Sequence, residues 1–282
     1  MAVWLSRVWS VLPWATAITA GRSSRPLPGA SMFWVRQIAY GRGRMRAMNT
    51  TIDSPIPRRV NSAGYTLGEE IANAITSGIG TALSIAGLVV LVVYAALEGD
   101  VWHVVSVTIF GVALILSHLS STLYHAVHPP RAKNVLKVFD HLAIYILIAG
   151  TYTPFTLVNL RGLWGWTLFF LIWSLAIGGV VIKLTRLNDV KYLSTAFYVA
   201  MGWTVVLVIG PVIENVAMGG VWLLLAGGIS YTVGVLFYAW DRMPYNHAIW
   251  HLFVIGGSVF HFFAVLFYVV PLAPSAAALL MR

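Results

Sequence analysis

From Ile71 to Val270 the chain repeats one pattern: a long apolar run, a short polar connection, then another apolar run. Each run is about 20 residues, the length that crosses about 30 Å of hydrocarbon as a helix. The pattern predicts spans over Ile71–Leu97, Trp102–Val127, Val135–Val158, Leu163–Ile182, Leu193–Ile213, Gly220–Trp240 and Pro244–Val270. Backbone polar groups in lipid must pair within their own segment, which favours helices. A closed β-barrel would show short stretches of alternating apolar and polar residues, and runs such as Ala82–Ala96 show none. The fold class read from the pattern is therefore all-α: a polytopic membrane protein built as a seven-transmembrane-helix bundle.

Composition agrees with this. Charged residues make up 10% of the 282 and hydrophobic ones 59%, with a mean hydropathy of +0.81. A soluble domain of this size needs more charge to cover its surface. The formal charge of +9 would suit a nucleic-acid partner, but its distribution does not. Nine of the 18 basic residues, from Arg7 to Arg59, precede position 60, leaving nine against the eight acidic residues that follow Asp53. The excess thus belongs to an arm over residues 1–60, and the remainder, 61–282, forms a nearly neutral membrane domain. The arm reads as a disordered cytoplasmic extension, or as translation from a start upstream of Met45 or Met48. Its apolar stretch Val8–Ala20, broken by Pro13 and carrying Ala15-Thr16-Ala17, also resembles a signal peptide or presequence.

The connections set an expected orientation. Those after even-numbered spans carry Arg131, Lys133 and Lys137, then Lys183, Arg186 and Lys191, then Arg242. Those after odd-numbered spans carry Glu98 and Asp100, then Arg161, then Glu214. The positive-inside rule places the N-terminus in the cytoplasm and the C-terminus outside.

Ionisable residues inside spans mark function by default. Ser121 and His125, four apart, share a face near the cytoplasmic end of span two; Asp140 lies at the start of span three. His247 and His251, again four apart, share a face at the start of span seven. Two histidines at this spacing can bind one metal, and His125 would supply a third nitrogen. With no cysteine in the chain, a transition metal must rely on His, Asp, Glu or water. Three protein ligands and a water is the open arrangement of catalytic zinc. Asp140 would then orient or deprotonate that water and Ser121 hydrogen-bond to it or to a substrate. The plainer alternative makes these histidines interhelical hydrogen-bonding residues.

Other polar positions read more blandly. His103 and His128 are expected to be solvated, His128 also being a candidate peripheral ligand. His118 lies on the Ser121/His125 stripe but deeper, His141 points away from Asp140, and His261 belongs to another layer. Glu69 and Glu70, with Asn73, read first as an interfacial anchor and second as a cap on the cavity. Gly78, Gly80, Gly227 and Gly228 are expected at close helix contacts, Tyr145, Tyr152 and Thr153 in interhelical hydrogen bonds, and Pro154 at a kink.

The stretches GEEIANAIT at 68–76, SSTLYH at 120–125, DHLAIYILIAGTYTPF at 140–155 and HAIWHLFVIGGSVFHFFAV at 247–265 resemble the haemolysin III family, the bacterial branch of the progestin and adipoQ receptor superfamily. The resemblance covers roughly residues 65–270. It implies seven helices with the N-terminus inside, in a bacterial plasma membrane, and zinc held by His125, His247 and His251, with Asp140 and Ser121 alongside. One departure is Ser77, where the family pattern has a histidine.

Four functions follow. One is a zinc-dependent intramembrane hydrolase of a lipid amide or ester, an activity the resemblance suggests through the superfamily's tie to alkaline ceramidases. The second is a non-catalytic zinc-stabilised sensor, receptor or membrane-homeostasis protein. The third is the pore-forming cytolysin of the family's name, which seven integral spans disfavour. Ion transport, the fourth, would need charge along the whole bundle depth. The hydrolase is preferred. Its partners would be membrane lipids and a lipid-like substrate, with no nucleic acid.

Overall fold

The computed structural model describes residues 60–61, 64–185 and 193–270. Residues 1–59 of the N-terminal arm, with Arg186, Lys191 and Arg282, lie outside the described residues. Among the described residues seven helices are long and apolar enough to cross a membrane: α1 Leu67–Glu98, α2 Val101–Ala126, α3 Pro130–Asn159, α4 Leu163–Leu184, α5 Leu193–Asn215, α6 Met218–Tyr238 and α7 Asn246–Tyr268. No strand occurs among the described residues. Each predicted span is present, displaced at its ends by a few residues.

Local chemistry sets those ends. Thr66 caps α1 in a box with Glu69: the Thr66 backbone N–H donates to Glu69 Oε2 at 2.8 Å, and the Glu69 N–H returns to Thr66 Oγ1 at 3.3 Å. Two orphan donors of the first turn are thereby satisfied. Asp100 caps α2, accepting from the N–H groups of Trp102 and His103. His103 Nδ1 lies 2.7 Å from the same carboxylate and 3.1 Å from the Asp100 backbone nitrogen, and the residue is 8% exposed, so it is a buried partner of this cap rather than a solvated residue. Pro130 opens α3, where its missing N–H costs nothing.

Two helices change winding. Pro154 stands inside α3, which continues as a π-turn over Phe155–Asn159, the form its expected kink takes. In α5 the stretch Trp203–Val208 tightens to a 3-10 helix ahead of Pro211, whose ring nitrogen cannot serve the carbonyl four residues earlier. Tyr152 of α3 bridges this break, donating to the Gly202 carbonyl at 2.6 Å and accepting from the Val205 N–H at 3.0 Å. Thr153 accepts from Trp173 of α4 at 3.2 Å, a second expected interhelical bond.

Helix α1 shows how the chain has inverted the soluble plan. Its polar residues Glu70, Asn73, Ser77 and Ser84 are buried, while Ile71, Ile75, Ile79 and Leu83 are each more than half exposed. An outward apolar face of this extent needs lipid around it. Inside, α1 packs on α2 and α7, α2 on α3, and α6 on α7. Leu91, Val107, Phe110, Leu147 and Val265 are buried together as the apolar core. Of the four expected close-contact glycines, Gly80 and Gly227 seat the His118 and His261 rings, whereas Gly78 and Gly228 have room to spare.

Candidate metal centre

The site lies where α1, α3 and α7 begin and α2 ends. The last turn of α2 delivers His125, and the first two turns of α7 deliver His247 and His251. All three are buried, and one ring nitrogen from each falls within 4.8 Å of the others. Their rings form a triangle, with centroids 5.0 Å apart for His125 and His247, 5.4 Å for His125 and His251, and 4.6 Å for His247 and His251.

Three nitrogens here have no hydrogen-bond partner: His125 Nε2 and both ring nitrogens of His247. Buried polar atoms are almost always satisfied, so the lone pair of His125 Nε2 and the one that a neutral His247 ring carries point to an occupant of the triangle. A cation that accepts neutral nitrogen donors fits them. Three buried histidines thus could hold a metal ion.

The surroundings of each ring differ. His125 Nδ1 donates to Glu70 Oε2 at 2.6 Å. Asn73 Nδ2 also approaches Nδ1, at 3.4 Å; being a donor, it would need a lone pair there, and the much shorter carboxylate contact decides for Nδ1–H. Lys133 Nζ meets the other Glu70 oxygen at 2.9 Å and donates to the Tyr124 carbonyl at 2.9 Å. The Asn61 side-chain amide donates to Glu70 as well. Glu70 is therefore buried within the site, and the interfacial-anchor reading does not hold for it. His251 Nδ1 lies 3.0 Å from Thr76 Oγ1, and its Nε2 lies 3.2 Å from Ser121 Oγ.

Tyr65, just ahead of α1, covers the outer side. Its ring centroid stands 5.8 Å from that of His125 and 5.4 Å from that of His247. Burial raises the Tyr65 phenol far above its ordinary value, and the Glu70 and Asp140 carboxylates push it the same way, so this ring is neutral.

On the inner side the triangle opens into a cavity of about 350 Å³, lined by Ser121, Asp140, His247 and His251 near the histidines and by apolar side chains such as Leu147, Phe155 and Val212 farther along. Asp140 stands beside Ser121, within reach of its hydroxyl, and is only half buried because it faces this cavity. Its carboxylate does not belong to the close group of potential ligands. The structure thus brings Ser121, His125, His247 and His251 together and sets Asp140 one residue farther out. His118, His141 and His261 line the same cavity, His261 donating from Nε2 to the Leu224 carbonyl at 3.2 Å. His128 is exposed and takes no part in the histidine group. Ser77, where a family histidine was expected, is buried and donates to the Asn73 carbonyl.

A sequence profile of the family described as Haemolysin-III related matches residues 65–262. The chain belongs to this family. It is 52% identical over 205 residues to Hemolysin-3 of Bacillus cereus, covering 73% of this chain and 94% of that one. Against the Hemolysin-3 homolog of Bacillus subtilis (strain 168) it is 50% identical over 206 residues, 73% of this chain and 97% of the other. A more distant relative is the monocyte to macrophage differentiation factor of Homo sapiens, 29% identical over 175 residues. As a haemolysin III family member the chain is a membrane protein whose matched region contains Glu70, Ser121, Lys133, Asp140 and all three histidines of the triangle.

Proposed function

We propose that this haemolysin III family protein binds zinc through His125, His247 and His251 and hydrolyses an amide or ester bond of a membrane lipid, in a bacterial plasma membrane with the site toward the cytoplasm. The observation that carries the reading is the set of partnerless nitrogens on a buried histidine triangle at the head of an apolar cavity. Three neutral nitrogens suit zinc, which would supply Lewis acidity to a bound oxygen.

The chain's own residues divide the remaining work. The apolar walls hold an acyl chain and keep bulk water from the reacting bond. Asp140, facing the cavity, takes a proton from water as general base and returns it to the leaving group. Ser121, between His251 and Asp140, donates its hydroxyl proton to a substrate oxygen. Glu70 cannot share the base role, since both its oxygens are engaged by His125, Lys133 and Asn61.

The test is metal content of the detergent-purified full chain by mass spectrometry. About one zinc per chain is expected in the wild type, absent from His247→Ala and retained by Asp140→Ala. Turnover of lipid amides is expected from the wild type and not from Asp140→Ala. Metal without turnover of any lipid amide or ester would leave a zinc-stabilised sensor, and no metal in the wild type would end both readings.

A further inference from the structure

Helix α1 offers no ligand to the histidine triangle, yet it lays three polar residues against it at Glu70, Asn73 and Thr76. Their spacing of three puts them on one face over two turns, and that face is turned inward. Two of the three decide the protonation pattern of a histidine ring.

His125 Nδ1 lies 2.6 Å from Glu70 Oε2. A carboxylate accepts only, so Nδ1 carries the proton and Nε2 is left with its lone pair. Thr76 plays the corresponding part for His251. The Thr76 hydroxyl has one hydrogen, and we assign it to the backbone, where the Ala72 carbonyl at 2.8 Å is its shortest acceptor and the Asn73 carbonyl lies at 3.0 Å. Facing His251 Nδ1 at 3.0 Å, Thr76 Oγ1 can then only accept. His251 is therefore also protonated on Nδ1, with the lone pair of Nε2 turned to the Ser121 side of the site. The same helix imposes the same tautomer on two ligands from two other helices.

Glu70 itself needs holding. Lys133, at the start of α3, is 6% exposed, an uncommon place for a lysine. Its ammonium meets Glu70 Oε1 at 2.9 Å and is fixed from behind by the Tyr124 carbonyl, also at 2.9 Å. Tyr124 adjoins His125 in sequence, so the clamp closes back on the residue it serves.

We infer that Glu70 and Thr76 are positioning residues that set the His125 and His251 tautomers and so direct both Nε2 atoms to the metal, with Lys133 acting through Glu70 as its clamp. This rests on the metal reading proposed above and adds to it the part played by α1, which explains why a helix whose outward face is apolar keeps a polar stripe inside. Partners of ligating histidines typically alter metal affinity by about 10–100-fold when removed.

The test is zinc affinity of the full chain in detergent by chelator competition, together with thermal unfolding of metal-free and zinc-loaded protein. Glu70→Ala and Thr76→Val should each weaken zinc by about 10–100-fold, whereas Thr76→Ser, which keeps the accepting oxygen, should stay near wild type. Lys133→Met should weaken zinc on its own but add nothing in the Glu70→Ala background, because its effect passes through Glu70. A merely structural stripe would lower the unfolding temperature of both forms equally and leave zinc affinity unchanged, which overturns the inference while the metal reading stands. An additive loss in the double variant overturns the role of Lys133. If the wild type binds no zinc, and His247→Ala therefore changes nothing, the metal reading falls and takes this inference with it.

Discussion

At the scale of single residues, adjacent glycines on α4 make opposite demands. A Cβ on Gly179 would lie 2.2 Å from Tyr145 Cε1, and the whole Tyr145 ring edge is in the way. Tyr145 is fully buried, packed between α4 and Tyr198 with ring centroids 4.6 Å apart, so it has nowhere to go. Gly178 has nothing within 4 Å of the same added atom. Gly179→Ala should therefore destabilise by about 1–3 kcal/mol through overpacking. Gly178→Ala should be neutral or stabilise by up to about 1 kcal/mol through helix propensity. Thermal unfolding of the two variants in the same detergent checks the contrast, and equal effects would contradict it. The site shows the same division between what residue type announces and what only packing reveals. His247 and His251 are suggested by their spacing, and they gain weight only because His125, Ser121 and Asp140 fall at the same end of their helices. The Glu70–Lys133 pair spans 63 positions and was hidden by the loop charge it superficially resembles: Lys133 reads as one more cation of a basic connection until α1 is laid against α2 and α3.

At the scale of elements, the boundaries are local chemistry and were legible, while the changes of winding were not. A proline at 154 announces a kink, but whether the helix breaks or absorbs it as a π-turn depends on α2 and α4, which pack against that turn. The break in α5 depends likewise on Tyr152 arriving from α3 with a hydroxyl that can both donate and accept. The start of α2 is self-contained and so gives the sharper prediction. Partial burial works to raise the Asp100 pKa, but the hydrogen bonds from His103 and from the backbone N–H groups of His103 and Trp102 outweigh it, and the net shift is downward. A carboxylate depressed in the folded state contributes stability that is complete above its unfolded value of about 3.9 and is lost as pH falls through the folded value. Asp100→Ala should thus lower stability by about 1 kcal/mol near neutral pH, the usual worth of such a cap. Its unfolding temperature should converge with that of the wild type as pH drops below about 4. A gap that stays constant down to pH 3 would mean that the carboxylate charge contributes nothing.

At the scale of the whole molecule, the two ends of the bundle differ in charge, and packing alters the count on which orientation rests. At the end where the histidines lie, Arg131, Lys137 and Arg242 are exposed, while Lys133 is spent internally on Glu70. At the opposite end the connections carry Glu98, Asp100 and Glu214, and their cation, Arg161, stands 3.5 Å from Asp100. Removing Lys133 from the tally weakens the basic end by one charge but does not reverse the bias. The positive-inside rule therefore still predicts the histidine end on the cytoplasmic side. Because the chain contains no cysteine, single cysteines can report on each end without any background to remove. Glu98→Cys and Arg131→Cys replace exposed residues next to opposite ends of α1 and α3. In intact cells a membrane-impermeant maleimide should label the Glu98 variant readily and the Arg131 variant only after permeabilisation. The reverse pattern would turn the bundle over and put the histidine triangle on the outer face, so that a substrate would reach Asp140 from that side.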